Sequence, residues 1–404
     1  MKIGIFTFHD EYNYGSALQA FALQSYLKSL GHEVRVLHHH LSVTDERIKG
    51  IFASHSLRDW LRFIVLGMLG GGQFARQRRL RKSRVFVRKY LQLTKYRFYT
   101  WEDAPQDLGV DVLIVGSDQL WSCQWESPAK YLLYDAPNIP AIAYAVSMGV
   151  SEIPIEMRKL YKNGFKRFSR ISVREEKAIE LMRQCGFEGE VVQTVDPTLL
   201  AGKTIWNEFI DKRLECVPYL FCYLMGEDVE SALPILANFA KEKACRIKIV
   251  VEKFYWNNKP LRISCLIRAL HKCFQLRRFC KENHIEILLS ASHEDFVRNI
   301  SMSNWVLTDS FHALMFSLVF KKDVRVLRPR NAYRGRMFSR LEDASKLFME
   351  TEIICNNLEE ALSSFLHNEK SRMNQTALNR AVNFSKEWLI SSIAKADSGN
   401  SNGK

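Results

Sequence analysis

The chain has 404 residues, 47% of them hydrophobic and 25% charged, with a formal net charge of +14. That balance excludes global disorder, and the length exceeds one ordinary core, so two domains are expected. The positive excess calls for an anionic counterpart: a nucleic acid, an anionic membrane surface or an anionic substrate.

No apolar run reaches the ~20 residues of a membrane span; the longest candidate, "FIVLGMLGGG" from Phe63, falls well short. The start, "MKIGIFTFHDEYNYG", lacks the basic segment, long apolar stretch and small-residue cleavage site of a secretion signal, so a cytoplasmic protein is expected. The nine cysteines are scattered, without a CxxC pair or zinc spacing. They are expected to be reduced thiols, and no metal site is expected.

In chain order, "KIGIFTF" reads as a buried strand, "SALQAFALQSYLKSLG" as a helix stopped at Gly31, and "HEVRVLHH" as the next strand. A strand–helix–strand unit with short connections is the signature of a parallel sheet. Residues 45–105 are irregular and read as a mostly helical insertion. Within it, "RQRRLRKSRVFVRKY" holds the densest basic charge, with Leu80, Val85, Phe86 and Tyr90 at helical spacing. No nucleic-acid motif accompanies the charge, so no nucleic-acid partner is expected. Two readings of Trp60 to Tyr90 stay open: peripheral contact with an anionic membrane at its inner face, or a helix packed on its own domain.

Parallel-sheet rhythm returns with "VDVLIVGSD", "AIAYAVSMG", "ISVREEKAIELMRQCG" and "VVQTVDPTLL". It restarts after Leu200 with "VPYLFCYLM", "ESALPILANFAKEKA", "CRIKIVVE", "IEILLS", "NWVLTD", "SFHALMFSLVF" and "VRVLRP". The expected organisation is two doubly wound, Rossmann-like α/β domains facing a cleft, at 1–203 and 204–345. A helical segment at 346–395 and a disordered tail at 396–404 follow. In open parallel sheets, ligands sit beyond the carboxyl ends of the strands.

Four polar clusters fall at such ends: "HDEYNYGS", "GSDQLW", "SVREE" and "TDSFH". A helix beginning near Ser310 and Phe311 offers free N–H groups and a positive dipole end to an anion. Arg174 could add a planar, two-pronged donor, or could be a surface ion-pair partner. His312 lies in the first helical turn, where the dipole disfavours imidazolium and a bound anion pushes the other way. A core histidine bonded to a backbone carbonyl is the competing reading.

The segments "NYGSALQAFAL", "DVLIVGSDQLWS", "YAVSMG", "ISVREEKAIELM", "TVDPTLL", "TDSFHALMFSLVF" and "RGRMFSRLED" resemble, in order and spacing, the polysaccharide pyruvyl transferase family. The resemblance implies a two-domain fold of glycosyltransferase-B type. It also implies transfer of the enolpyruvyl group of phosphoenolpyruvate onto a sugar, closing a cyclic ketal, with no cofactor. The acceptor would be a sugar of a surface polysaccharide or a lipid-linked oligosaccharide. By the same resemblance His312 and Arg174 match the family's phosphoenolpyruvate-binding histidine and arginine. The sequence departs where better-known members have arginine at the position of Ser310 and glycine at that of Ala313. Arg336 or Arg340 could supply the missing cation. Asp118 could orient or deprotonate the acceptor, or simply cap its turn. Asn13, Tyr14 and Gly15 stand where an acceptor sugar could lie, though Asn-Tyr-Gly is also a good turn. A nucleotide-sugar glycosyltransferase and a non-catalytic glycan-binding or partner-binding relative are the alternatives.

Overall fold

The computed structural model describes residues 1–9, 13–39, 72–124, 128–210, 217–226, 228–251, 274–329, 335 and 338–401. Two parallel sheets organise the chain. The first is built from β1 (Lys2–Phe6), β2 (Glu33–His39), β3 (Leu93–Phe98), β4 (Val112–Val115), β5 (Ala141–Val146), β6 (Arg170–Val173) and β7 (Val191–Gln193). Its order is β3-β2-β1-β4-β5-β6-β7. The second is built from β8 (Tyr219–Tyr223), β9 (Arg246–Val250), β10 (Ile285–Leu288), β11 (Trp305–Thr308), β12 (Asp323–Leu327) and β13 (Ile354–Cys355), ordered β10-β9-β8-β11-β12-β13.

The central strand of the first sheet, "VLIV", and its neighbour β5, "AIAYAV", are buried at every position, as is β8, "YLFCY". Helices on both faces of a parallel sheet demand such unbroken apolar runs. In each sheet the strand order reverses once, between β1 and β4 and between β8 and β11. Connections leave those two strand pairs in opposite directions, which opens a crevice at their carboxyl ends. This is the expected fold class of two doubly wound α/β domains.

Three local expectations are corrected. The insertion expected to be mostly helical contains β3, which joins β2 through Val36↔Leu93. Its sequence, "LTKYRF", alternates as a half-exposed edge strand does. The segment expected to be helical after residue 345 supplies the short edge strand β13, paired with β12. The last helix, Gln375–Ser401, runs into the tail expected to be disordered. It also returns to the first domain. Arg170 lies 5.1 Å above the Trp388 ring, and Val195 N donates to Ser385 Oγ at 3.0 Å.

The basic segment forms helix Gly72–Tyr90; of the residues expected on its inner side, Phe86 is buried, Leu80 and Tyr90 are half-buried, and Val85 faces out. Ala75, Arg79, Ser83, Phe86 and Val87 are buried, whereas Val85 is 56% exposed. The Arg79 guanidinium sits 4.1 Å above the Tyr14 ring, and Phe86 stacks on His293 at 4.7 Å. The helix is therefore packed between helices Tyr14–Ser29 and His293–Met302, one from each domain. Phe86 and Val87 thus serve the interior; residues 60–71 of the expected membrane contact lie outside the described residues. No helix among the described residues is long and apolar enough to cross a membrane.

His293 makes this interior sensitive to acid. Burial, helped by Arg79, pushes its pKa down to about 3. A histidine in the unfolded chain titrates near 6.5, so below that pH the unfolded state binds the extra proton. The stability is present above pH ~6.5 and is lost as pH falls toward 3. Urea unfolding at pH 7 and pH 5 should show His293 supplying about 2 kcal/mol of the acid loss. His293→Gln should lessen that loss by the same amount; an unchanged pH dependence would show that His293 is not held neutral.

Candidate active site

The crevice is assembled from the carboxyl ends of β1, β4, β6, β7 and β11. Beyond β4 the chain passes Gly116 and Ser117 to Asp118, whose φ of 81° is rare for a residue with a side chain. Asp118 Oδ2 accepts from Ser16 Oγ at 2.7 Å, and Oδ1 accepts from Gln119 N at 2.9 Å. Gln19, one turn on from Ser16, donates to Thr7 Oγ1 at 2.8 Å and accepts from Ser117 N at 3.1 Å. The first helix thus locks the ends of β1 and β4 together.

Arg174 stands at the end of β6 with its side chain 1% exposed. Three carboxylates surround the guanidinium. Nη1 donates to Asp196 Oδ2 at 2.9 Å, Nη2 lies 3.7 Å from Asp118 Oδ1, and Nε lies 4.0 Å from Glu175 Oε2. Asp196 caps helix Pro197–Leu200, its Oδ1 accepting from Thr198 N at 3.0 Å and Thr198 Oγ1 at 2.7 Å. Glu175 Oε1 accepts from Ser147 Oγ at 2.8 Å and Met148 N at 3.0 Å. For Asp118 and Asp196 burial pushes the carboxyl up, but His312 and Arg174 outweigh it and hold both below the usual range.

The second domain brings helix Phe311–Val319. The Phe311 ring carries the Arg174 guanidinium at 4.2 Å and the Arg340 guanidinium at 5.5 Å, a cation–π arrangement. His312 is 5% exposed, with Nε2 at 3.7 Å from Asp196 Oδ2. Burial lowers its pKa; Asp196 and Asp118 push back, while Arg174 and Arg340 add to the lowering. The ring is therefore neutral, as the sequence reading expected, with burial as the leading cause. Arg340, on helix Ser339–Phe348, is pushed down to about 10 by burial and by Arg174. With the Gln119 amide oxygen turned toward it, both Nη atoms of Arg340 donate at 3.1 Å.

Polar atoms in this crevice are left over. Arg174 Nε and Nη2 and His312 Nε2 are buried without a hydrogen-bond partner in the protein. Such a group costs about 1–3 kcal/mol, and folded proteins retain it mainly where it has a task. Two donors of a buried guanidinium, nearest Asp118 and Glu175, and one nitrogen of a neutral imidazole, nearest Asp196, suit an anion that must also exchange a proton.

The crevice brings Asp118, Arg174, Phe311, His312 and Arg340 together. Ser310 is also buried there; its N donates to Thr308 Oγ1 at 3.0 Å and its side chain does not cap the helix. Gly15 lies against His312. Two of the expected residues have other work. Asn13 is exposed and caps helix Tyr14–Ser29, accepting from Gly15 N at 2.9 Å. Tyr14 is buried between the domains, stacked on Phe296 at 4.6 Å, and its hydroxyl donates to Ala291 O at 2.9 Å. Arg336 lies outside the described residues. The aspartate of "TDSFH" is a tie: Asp309 accepts from Met225 N at 2.7 Å and Gly226 N at 2.6 Å, holding the loop after β8.

Sequence reasoning missed Asp196, Glu175 and Ser16 as members of the site. Asp196 followed by proline reads as a helix cap, which it is; the cap hides the second role. Ser16 read as a helix start, although Asn13 holds that position.

The sequence model of the family described as polysaccharide pyruvyl transferase matches residues 13–331. The chain belongs to this family. No curated protein matches it. Solved structures with similar folds include the UDP-GlcNAc 2-epimerase of Neisseria meningitidis, at 10% identity and a TM-score of 0.49 over 98% of this chain and 100% of that one. The UDP-GlcNAc 2-epimerase of Methanocaldococcus jannaschii gives 13% and 0.48, over 96% and 100%. Acinetobacter baumannii MurG gives 10% and 0.40, over 96% and 94%. Likenesses at this level bear on neither substrate nor mechanism. In this member of the family, the crevice places an arginine, a histidine and a helix start within one buried cluster.

Proposed function

We propose that the protein transfers the pyruvyl group of phosphoenolpyruvate to a sugar of a polysaccharide or its precursor. The observation that carries this reading is the set of unpartnered buried atoms on Arg174 and His312 at the start of helix Phe311–Val319. The donor has a phosphate and a carboxylate. Arg174 Nε and Nη2, Arg340 and the free N–H groups of the helix start suit those anionic groups. Asp118, Asp196 and Glu175 fix the arginine, and the arginine and His312 keep Asp118 and Asp196 weakly basic, so Asp118 orients rather than deprotonates.

His312 is the proton carrier. Neutral in the free protein, it gains a proton when the donor's negative charge arrives. It gives that proton to the donor's methylene carbon, C3, which leaves C2 electrophilic. A sugar hydroxyl attacks C2, its proton returning to the imidazole. The C2–O bond to phosphate breaks, phosphate departs, and a second hydroxyl of the same sugar closes the ketal and releases its proton. The balance is one donor and one diol in, one ketal and one phosphate out.

Calorimetry in two buffers of different ionisation enthalpy tests the central step. Wild-type protein should take up protons on binding phosphoenolpyruvate near neutral pH, and His312→Ala should bind with little uptake. The variant should release no phosphate and form no ketal detectable by mass spectrometry. Wild-type turnover in His312→Ala, or uptake that survives it, would remove the histidine from the mechanism.

A further inference from the structure

A cavity of about 420 Å3 lies between helix Phe311–Val319, helix Ser339–Phe348 and the last helix, Gln375–Ser401. Exposure falls from its mouth inward. Leu347 and Phe384 are 43% and 45% exposed, whereas Met315 and Leu199 are buried. Arg174 and Asp196 lie at the buried end, where Arg174 Nη1 donates to Asp196 Oδ2 at 2.9 Å. His312, Asp118 and Arg340 take no part in the walls, so the cavity reaches Arg174 by another route than the crevice does.

Most of the wall is apolar, and its volume is that of a small-molecule pocket. One large apolar residue at a surface is ordinary, but Leu347 and Phe384 flank a single opening and mark an entrance. Arg380 stands beside them, exposed and on the wall. Its guanidinium makes no ion pair or hydrogen bond among the described residues. The positions three and four residues away on its helix hold Thr376, Ala377, Asn383 and Phe384, none of them acidic. A guanidinium without a counter-charge suits a carboxylate, which it grips with two parallel N–H donors. Phosphoenolpyruvate and a sugar are too polar for these walls, since unpaired polar groups are costly to bury. The walls call instead for an apolar body behind the charge.

We propose that this cavity binds a small monocarboxylic acid with an apolar body. The carboxylate pairs with Arg380, and the body lies along Phe311, Met315 and Phe348. The cavity adjoins the crevice through Phe311, whose ring carries the guanidinium groups of Arg174 and Arg340 at 4.2 and 5.5 Å. The proton carrier His312 lies outside it, so the acid is neither donor nor acceptor in pyruvyl transfer.

Octanoate, octanol and acetate, each titrated into the full-length protein in a calorimeter, test the assignment. Octanoate should bind saturably at a single site, and more weakly as salt rises, because exposed charges are screened. Octanol lacks the charge and acetate lacks the body, so each should bind at least about tenfold more weakly. Arg380→Glu should cost octanoate at least about tenfold in affinity. Ala381→Trp, which fills the slot, should abolish binding. Thermal melting shows whether the tryptophan variant folds; if it does not, Arg380→Glu, at an exposed position, decides alone. Absence of saturable octanoate binding, indifference to Arg380→Glu, or octanol or acetate binding as tight as octanoate overturns the proposal. So does displacement of octanoate by phosphoenolpyruvate, since the two would then share the crevice. Phosphoenolpyruvate binding is measured separately on the same protein. Its absence would defeat the pyruvyl-transfer reading while leaving the octanoate result to stand or fall alone.

Discussion

Arg174→Ala is expected to abolish transfer and to weaken the fold by about 3–5 kcal/mol, as removing one member of a buried ion cluster does. The guanidinium lies 3.7, 2.9 and 4.0 Å from the carboxylates of Asp118, Asp196 and Glu175. Without it, three carboxylates share a site screened from water. The pKa values of Asp118 and Asp196, which Arg174 helps hold down, should rise, so the deficit should be full near neutral pH and shrink as the pH falls and they protonate. Arg174→Lys separates the two roles. The ammonium restores the charge and much of the stability, but it lacks the planar fork and should leave transfer lost. Urea unfolding and phosphate release, measured on both variants, decide the matter. An alanine variant as stable as the wild type would mean the carboxylates are held by something else. A fully active lysine variant would mean that paired N–H donors are not needed.

The stability half of that expectation cannot be read from the sequence. "SVREE" announces an arginine and a glutamate at a strand end, but not that Asp196 and Asp118 converge on them from other strands. What was legible is what repeats locally. Unbroken apolar runs such as "VLIV" mark buried parallel strands, and the polar residues after them mark the carboxyl ends. Edge strands escape that signal because one face or one side stays polar, which is why β3 and β13 were missed. Tyr14 shows the other limit. Its neighbours suggest a turn at a sugar site, whereas its environment is set by Phe296 and by Ala291, 277 residues away. The basic helix erred similarly: spacing placed Val85 inside, but the inward side was chosen by Tyr14 and His293, and an arginine covers one of them. That Arg174 and His312 come together, here around Asp196, was legible through the order of the family's segments, not through periodicity.

Gly15→Ala should cost transfer about 100-fold, the order expected when a catalytic group is displaced by about 1 Å. Intrinsic helix propensity argues the opposite, since alanine is favoured over glycine by about 1 kcal/mol within a helix. Packing decides against it. An alanine Cβ at this position would lie 1.9 Å from His312 Nδ1 and 2.4 Å from Cγ and Cε1. Contacts that short do not persist, so the imidazole or the two helices carrying these residues must shift. The ring is bounded by Phe311 on its own helix and by Asp196 beyond Nε2. Movement away from Gly15 therefore shifts the imidazole that the proposed mechanism uses to carry the proton. Overpacking of this kind costs about 1–3 kcal/mol, partly offset by the helix gain, so the unfolding midpoint should change little while turnover falls. The double variant Gly15→Ala, His312→Ala makes the cause visible. If the clash is the defect, the double variant is more stable than the sum of the single changes predicts, by a coupling of about 0.5–3 kcal/mol. Strict additivity, or wild-type turnover in Gly15→Ala, would mean that the domains open enough in solution to relieve the contact. The close approach of helix Tyr14–Ser29 to His312 would then not be part of the working site.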